Sequence, residues 1–472
     1  MNQNIINFII KKKPMANKWH GGHYFFLKAL AGPLILLIIS CSNSEIVSSS
    51  NNEDIAYYSS NKSASNADSF QEVLSSNVID YLPIDDSEYP YASIPRIVIE
   101  TENHREIKDR ETEIPAKLQI WGEKSPESEI MELTIRGRGN SSWSTPKKSY
   151  KIEFSQKKAI LGMPKDKDWA LIANYADKTL MKNHLIYHLS ANLGVYYAPQ
   201  CKFAELYLNN EYLGVYLVTE TIKIAKNRIN IPEDEFSFVV EVDQKYRDDE
   251  QVVFSHIIQN TEQGKPFKIH SPKNASTQTL KKIETHICEF EMFLKSIRRE
   301  QNNNLAQWID INEYIKHYWI QEFSKNTDAA FNTSVFFSWI QGDVIKMGPV
   351  WDFDVSFGGY ANKGSDLSQN WYIKNYYWNS YIFRDSLINQ VNQQFWRENR
   401  KNFSSILQNI DSLHSFLQKA AQNNFRKWDI LSSTEHRLHL NSYNSYDEAV
   451  SDLKKWITER LLWINSQFEF PE

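Results

Sequence analysis

Apolar residues recur with a period of two in the first half of this chain and with a helical period in the second, which narrows the folds open to it. Runs at 97–99, 116–120 and 131–135 are short, β-type and bounded by turn residues. The run 149–154 alternates, with Tyr150, Ile152 and Phe154 on one face. A helical spacing follows over 178–193, through Leu180, Met181, His184, Leu185, Tyr187 and His188. Two more strands, 202–208 and 212–218, flank Asn209-Asn210-Glu211, a hairpin signal because Asn tolerates positive φ. From Thr277 the pattern turns helical over 278–297, 305–323, stretches within 380–425, and 446–467. One β-type island, 334–340 and 344–347 around Gln341-Gly342-Asp343, interrupts the helices. The expected fold is α+β: a β-rich unit over 91–245, then a mostly helical unit over 246–472 that carries a hairpin.

The 472 residues suffice for two or three domain-sized units, and 41 % hydrophobic content can bury a core. With 53 basic and 58 acidic residues the net charge is −5, without the basic excess of a nucleic-acid binder. Three cysteines, Cys41, Cys201 and Cys288, are too few for a disulfide scaffold and too far apart for a CxxC metal knuckle. Lys11, Lys12, Lys13, Lys18 and Lys28 precede an apolar run, 29–39, that ends in Ser40-Cys41. That order reads as an export signal over 1–40, and about 11 apolar residues are too few to span a bilayer. Its Ile38-Ile39-Ser40-Cys41 ending resembles a bacterial lipobox, which makes Cys41 the expected lipidation site. Removing residues 1–40 takes away five lysines and no acids, leaving 48 basic and 58 acidic groups and a net charge of −10. Residues 41–90, rich in Ser and Asn, read as a disordered tether between a lipid anchor and the folded body. The expected location is the cell envelope, lipid-anchored at the outer membrane or cell surface.

Three groups of residues carry the chemistry. In IRGRGNSSWSTPKKSYKIEF, Gly137 and Gly139 allow close backbone approach, Asn140, Ser141 and Ser142 add donors, and Lys147 and Lys148 open a strand. That suits a phosphate, and it equally suits a Gly-Ser-Pro hairpin with solvated lysines. In EFSKNTDAAFN, Asp328 and Asn332 lie four apart and share a face on a helical turn. An Asp that accepts a hydroxyl proton with an Asn that ligates a metal is one use of such a pair, and an exposed helix end is another. In GPVWDFDVSFGG, an extended strand would aim Asp352 and Asp354 into one cleft while Trp351 and Phe353 anchor the opposite side. Two carboxylates that close repel unless a divalent cation neutralises them; a strand end with two solvated acids is the other reading. Phosphate turn, lysine strand, Asp/Asn pair and metal acids follow one another in the order used by kinases.

These blocks, with DWALIANYADKTLMKNHLIYHLS and YLNNEYLGVYLVTETI between them, resemble the CotH kinase family, named for spore coat protein H. All five occur in family order over about 132–358. The resemblance implies an atypical, secreted, two-lobed protein-kinase-like fold that uses ATP with Mg²⁺ or Mn²⁺ to phosphorylate Ser or Thr of extracytoplasmic proteins. By it, Asp328 is the catalytic base, Asn332 assists the metal, Asp352 is the main metal ligand and Asp354 a second one. Lys147 or Lys148 would hold the ATP phosphates, together with Arg138, Asn140, Ser141 and Ser142. Strand parity puts Lys148 in phase with Tyr150, Ile152 and Phe154 and leaves the choice of lysine open. Asn174, Asp177 and Asn183 are structural or line the cleft, and Val218-Thr219-Glu220 is a candidate hinge beside the adenine. The chain lacks H-R-D, D-F-G and G-x-G-x-x-G-x-V motifs, and Asn332 follows Asp328 by four residues, not five. Two competitors stand beside an active kinase: an inactive kinase-like surface scaffold or adhesin, and a glycan-binding or glycan-cleaving protein suggested by 14 Trp and the paired acids.

Overall fold

A computed structural model describes residues 81–259 and 261–468. The expected leader, the expected lipidation site Cys41 and the expected tether up to residue 80 lie outside the described residues. The described residues belong to one compact unit.

Seven strands close into a barrel. They are β1 (Arg96–Thr101), β2 (Ile114–Trp121), β3 (Met131–Arg138), β4 (Ser149–Lys158), β5 (Asp166–Ile172), β6 (Cys201–Leu208) and β7 (Glu211–Glu220). Their order is β1-β2-β3-β4-β5-β7-β6, and a parallel β1–β6 pairing completes the ring. Period-two alternation fills the interior with Ile97 and Ile99, Leu133 and Ile135, Ile152 and Phe154, and Trp169 and Leu171. The β6–β7 hairpin turns on Asn209 and Asn210, with φ of 52° and 64°. Helix α1 (Lys182–Asn192) fills the connection between β5 and β6.

A second sheet is built from β8 (Ser237–Val242), β9 (Val252–Ser255), β10 (Lys265–Ser271), β11 (Val335–Ile340) and β12 (Lys346–Val350). Its order is β12-β11-β8-β10-β9, antiparallel throughout. Around it lie α2 (Thr277–Ser296), α3 (Ile311–Ser324), α4 (Tyr377–Ile382), α5 (Ser386–Ser404), α6 (Ile406–Lys427) and α7 (Tyr446–Ser466). Side chains of Ser276, Asp310, Asp385 and Ser445 cap α2, α3, α5 and α7 by accepting first-turn N–H groups.

The expected change of unit at residue 245 is not where the chain changes sheets. The barrel ends at Glu220, and β8 pairs with β10 and β11 from the later half. The part after 246 therefore holds four strands of the second sheet besides its helices. One apolar core joins the halves: Phe203, Val215 and Leu217 on the barrel cluster with Trp319, Phe337 and Trp378. Residues 82 and 89, expected to belong to the tether, pack on the barrel. Leu82 and Tyr89 are buried against Val98, Trp121 and Tyr212, and the Leu82 N–H donates to Gln119 Oε1 at 2.9 Å. Among the described residues no helix is long and apolar enough to cross a membrane. Cys201 and Cys288 are both free thiols.

Candidate active site

A cleft of about 920 Å³ collects side chains from both halves of the fold. The barrel contributes Arg136 and Arg138 at the end of β3, the turn Gly139, Asn140, Ser141 and Ser142, then Lys151 and Asp168. The second sheet and its connections contribute Glu241, Asp243, Asp328, Asp352 and Asp354. Gly139 takes φ of +99°, a backbone shape that favours glycine. Ser141 Oγ accepts from the Lys245 ammonium at 3.1 Å, so this turn reaches the loop after β8.

Two of these aspartates are shifted by their surroundings. Burial, and then the Asp352 charge, push Asp328 up to about 7. Burial, followed by Asp352 and Asp328, drives Asp354 well above the usual carboxylate range. The expected extended strand stops at Val350, because Asp352 turns to φ of +65°. Asp352 and Asp354 nevertheless both line the cleft, Phe353 is buried in the core, and Trp351, expected on the opposite side, lines the cleft as well while packing on the core. Trp351 stacks on Tyr187 with ring centroids 5.9 Å apart, and the Arg138 guanidinium lies 5.4 Å from its ring. Among the described residues no three His, Cys, Asp or Glu side chains stand together as a complete metal site. Mg²⁺ does not require one, since it is commonly held by one or two carboxylates plus phosphate oxygens. The hard oxygen donors of Asp352 and Asp354, which line the cleft together, fit such a cation.

The lysine expectation is corrected. Lys147 is 2 % exposed, and its ammonium donates to Val215 O (2.5 Å) and Asn424 Oδ1 (2.8 Å). Helix α6 covers that end of the barrel and Lys147 pins it there, with burial lowering its pKa. Lys148 folds back on Trp143, donating to its carbonyl at 2.6 Å. Neither lines the cleft. Lys151 does: it bonds Asp168 and Glu153, each at 2.8 Å. Although burial opposes it, Lys151 and Lys223 hold Asp168 below the ordinary carboxylate range. The signal was present in KKSYKIEF, since Lys151 alternates with the barrel-facing Tyr150 and Ile152 and so points outward.

Asn332 is corrected as well. Its backbone N–H bonds Asp328 O at 3.0 Å, the expected single helical turn. Its side chain, however, donates to Thr327 O at 3.2 Å and does not line the cleft. Glu220 is buried at the end of β7, where its carboxylate accepts from Tyr197 OH (3.1 Å) and Gln200 N–H (3.0 Å). The next residues, Thr221 to Ile224, line the cleft where the hinge was expected. Asn174 and Asn183 line it too. Asp177 lies behind it, accepting from the Thr179 and Lys182 N–H groups at 2.8 Å each.

In this α+β protein both halves of the fold bring acidic and cationic side chains into one cleft. The CotH kinase protein family model matches residues 135–464, most of the chain, and the chain belongs to that family. No curated protein matches it.

Proposed function

We propose that this chain is an ATP-dependent phosphotransferase that phosphorylates Ser or Thr of proteins outside the cytoplasm, held to the envelope through a lipid on Cys41. One observation carries the reading: Asp328, Asp352 and Asp354 share a cleft with cationic side chains from the barrel, and burial with neighbouring acids raises Asp328 and Asp354. Lys151, Lys223 and Arg138, with the turn 139–142, are suited to phosphate oxygens. Asp352 and Asp354 are suited to Mg²⁺ or Mn²⁺, which when bound neutralises developing charge on the transferred phosphoryl group. Asp328, with its pKa near neutrality, is matched to accepting a hydroxyl proton. In this reading the barrel does the work of a nucleotide-holding lobe and the second sheet with its helices that of the catalytic lobe. The side chain of Asn332, turned away from the cleft, favours a second reading, a kinase-like scaffold without turnover.

Labelled ATP with Mg²⁺ or Mn²⁺ separates the two. Label transferred by the wild type and abolished in Asp352→Ala supports the enzyme. Nucleotide binding without transfer supports the scaffold, and equal labelling of both proteins refutes the metal assignment.

A further inference from the structure

The backbone between Asp352 and Ser356 belongs to neither strand nor helix, yet it must aim two carboxylates. Its fixed points lie at the edges: Val335 pairs with Val350, and the Phe357 N–H donates to Ser324 O at 2.8 Å. Between them Asp352 sits at φ of +65°, a left-handed conformation costly for a residue with a Cβ. The peptide group that follows Asp352 is gripped on both edges. Its carbonyl accepts from Asn326 Nδ2 at 3.0 Å, and its N–H, that of Phe353, donates to Asn183 Oδ1 at 2.8 Å. A peptide is planar, so fixing its C=O and its N–H fixes its orientation and anchors the backbone from which the Asp352 side chain projects.

Asn326 does more than hold that carbonyl. Its Oδ1 accepts from the Asp328 N–H at 3.2 Å, so one carboxamide touches both acid-bearing segments. It is 1 % exposed and Asn183 is 3 % exposed, so neither has water as a substitute partner. The carbonyl and the N–H they face leave each carboxamide one orientation. We infer that Asn326 is a positioning residue that registers Asp328 against Asp352, with Asn183 as the opposing jaw on the Asp352–Phe353 peptide. The inference rests on the metal reading of Asp352. It assigns Asn326 no contact with substrate.

The test uses three variants of the protein. Asn326→Ala removes both contacts. Asn326→Asp keeps the size and the acceptor for the Asp328 N–H but cannot donate to the Asp352 carbonyl, so it carries the test if the alanine variant does not fold. Asn183→Asp adds the same charge at the same peptide but keeps the acceptor for the Phe353 N–H. Mn²⁺ affinity is read from the EPR signal of free Mn²⁺, and binding of the fluorescent nucleotide TNP-ATP is read in EDTA. The expected result is a 10- to 100-fold weaker Mn²⁺ affinity for both Asn326 variants, as for other residues that orient metal ligands. Metal-free TNP-ATP binding is expected to stay within twofold of wild type, and Asn183→Asp to lose less than Asn326→Asp. Unchanged or tighter Mn²⁺ binding in Asn326→Asp, or equal losses in the two Asp variants, overturns the inference. Failure of the metal reading looks different: the wild type then binds Mn²⁺ no better than Asp352→Ala.

Discussion

Protonating Asp328 should stabilise the metal-free protein, the reverse of the usual behaviour of a carboxylate. Its folded pKa is raised from 3.8 to about 7 by burial and then by Asp352. The folded state therefore binds the proton more tightly than the unfolded chain does. The resulting stabilisation is fully present below pH 3.8 and is lost as pH rises through about 7. The shift of about three units sets a ceiling of about 4 kcal/mol, at roughly 1.4 kcal/mol per unit. Water reaching a half-buried group reduces this, and at least one unit, about 1.4 kcal/mol, should survive. Urea unfolding of wild type and Asp328→Asn between pH 5 and 8 in EDTA reads the effect together with the part of the Asp354 shift that the Asp328 charge causes. The variant should gain on the wild type between pH 5 and pH 8 by about 1.4 to 2.7 kcal/mol, because only the part of the shift above pH 5 falls in that window. Mn²⁺ should stabilise the wild type more at pH 8 than at pH 5, since protonation of Asp328 removes a negative charge beside the cation. A stability difference that does not change with pH would refute both the shift and its attribution to the Asp352 charge.

Other perturbations follow from single contacts. Lys147→Met should cost about 1–3 kcal/mol in urea by stranding Val215 O and Asn424 under α6, while TNP-ATP affinity moves little. Lys151→Met should do the opposite, weakening TNP-ATP binding about tenfold or more with a smaller change in the urea midpoint. Glu322 and Arg460 form a fully buried pair at 2.7 Å, so Glu322→Gln or Arg460→Met alone should cost about 3–5 kcal/mol in urea. The double variant Glu322→Leu/Arg460→Met should recover much of that loss, and equal single and double losses would argue against charge stranding. A chain trimmed to begin at residue 91 loses buried Leu82 and Tyr89, each worth about 1.5–3 kcal/mol, and should melt several degrees lower by calorimetry.

What was legible in the sequence divides by the range of the force that set it. The Asn209-Asn210 hairpin, the strand 149–154 and the capped helices rest on neighbours a few residues apart, and the structure places them where the periodicity does. Strand β8, Ser-Phe-Val-Val-Glu-Val, went unread because it is buried on both faces and does not alternate. Its partners β10 and β11 are separated from each other by α2 and α3, so nothing local announces the second sheet. Asp352 and Asp354 were found because two carboxylates beside aromatics need an explanation wherever they fold, and Asp328 because an Asn follows it one helical turn later.

The lysines show why spacing alone misassigned the opposite wall. Lys147, Ser149 and Lys151 share one parity, and all three would face outward on an uninterrupted strand. Which outward lysine remains open to a ligand depends on what lands on the barrel, and that is α6, nearly three hundred residues away in sequence. Asn424 on that helix takes Lys147 at 2.8 Å and leaves Lys151 facing the cleft with Asp168. The residue that fixes the cationic wall is thus chosen by a helix that contributes nothing to the cleft itself. For the same reason, Lys147 and Asn424 belong to the stability of the barrel, and the search for a phosphate ligand moves four residues along the strand.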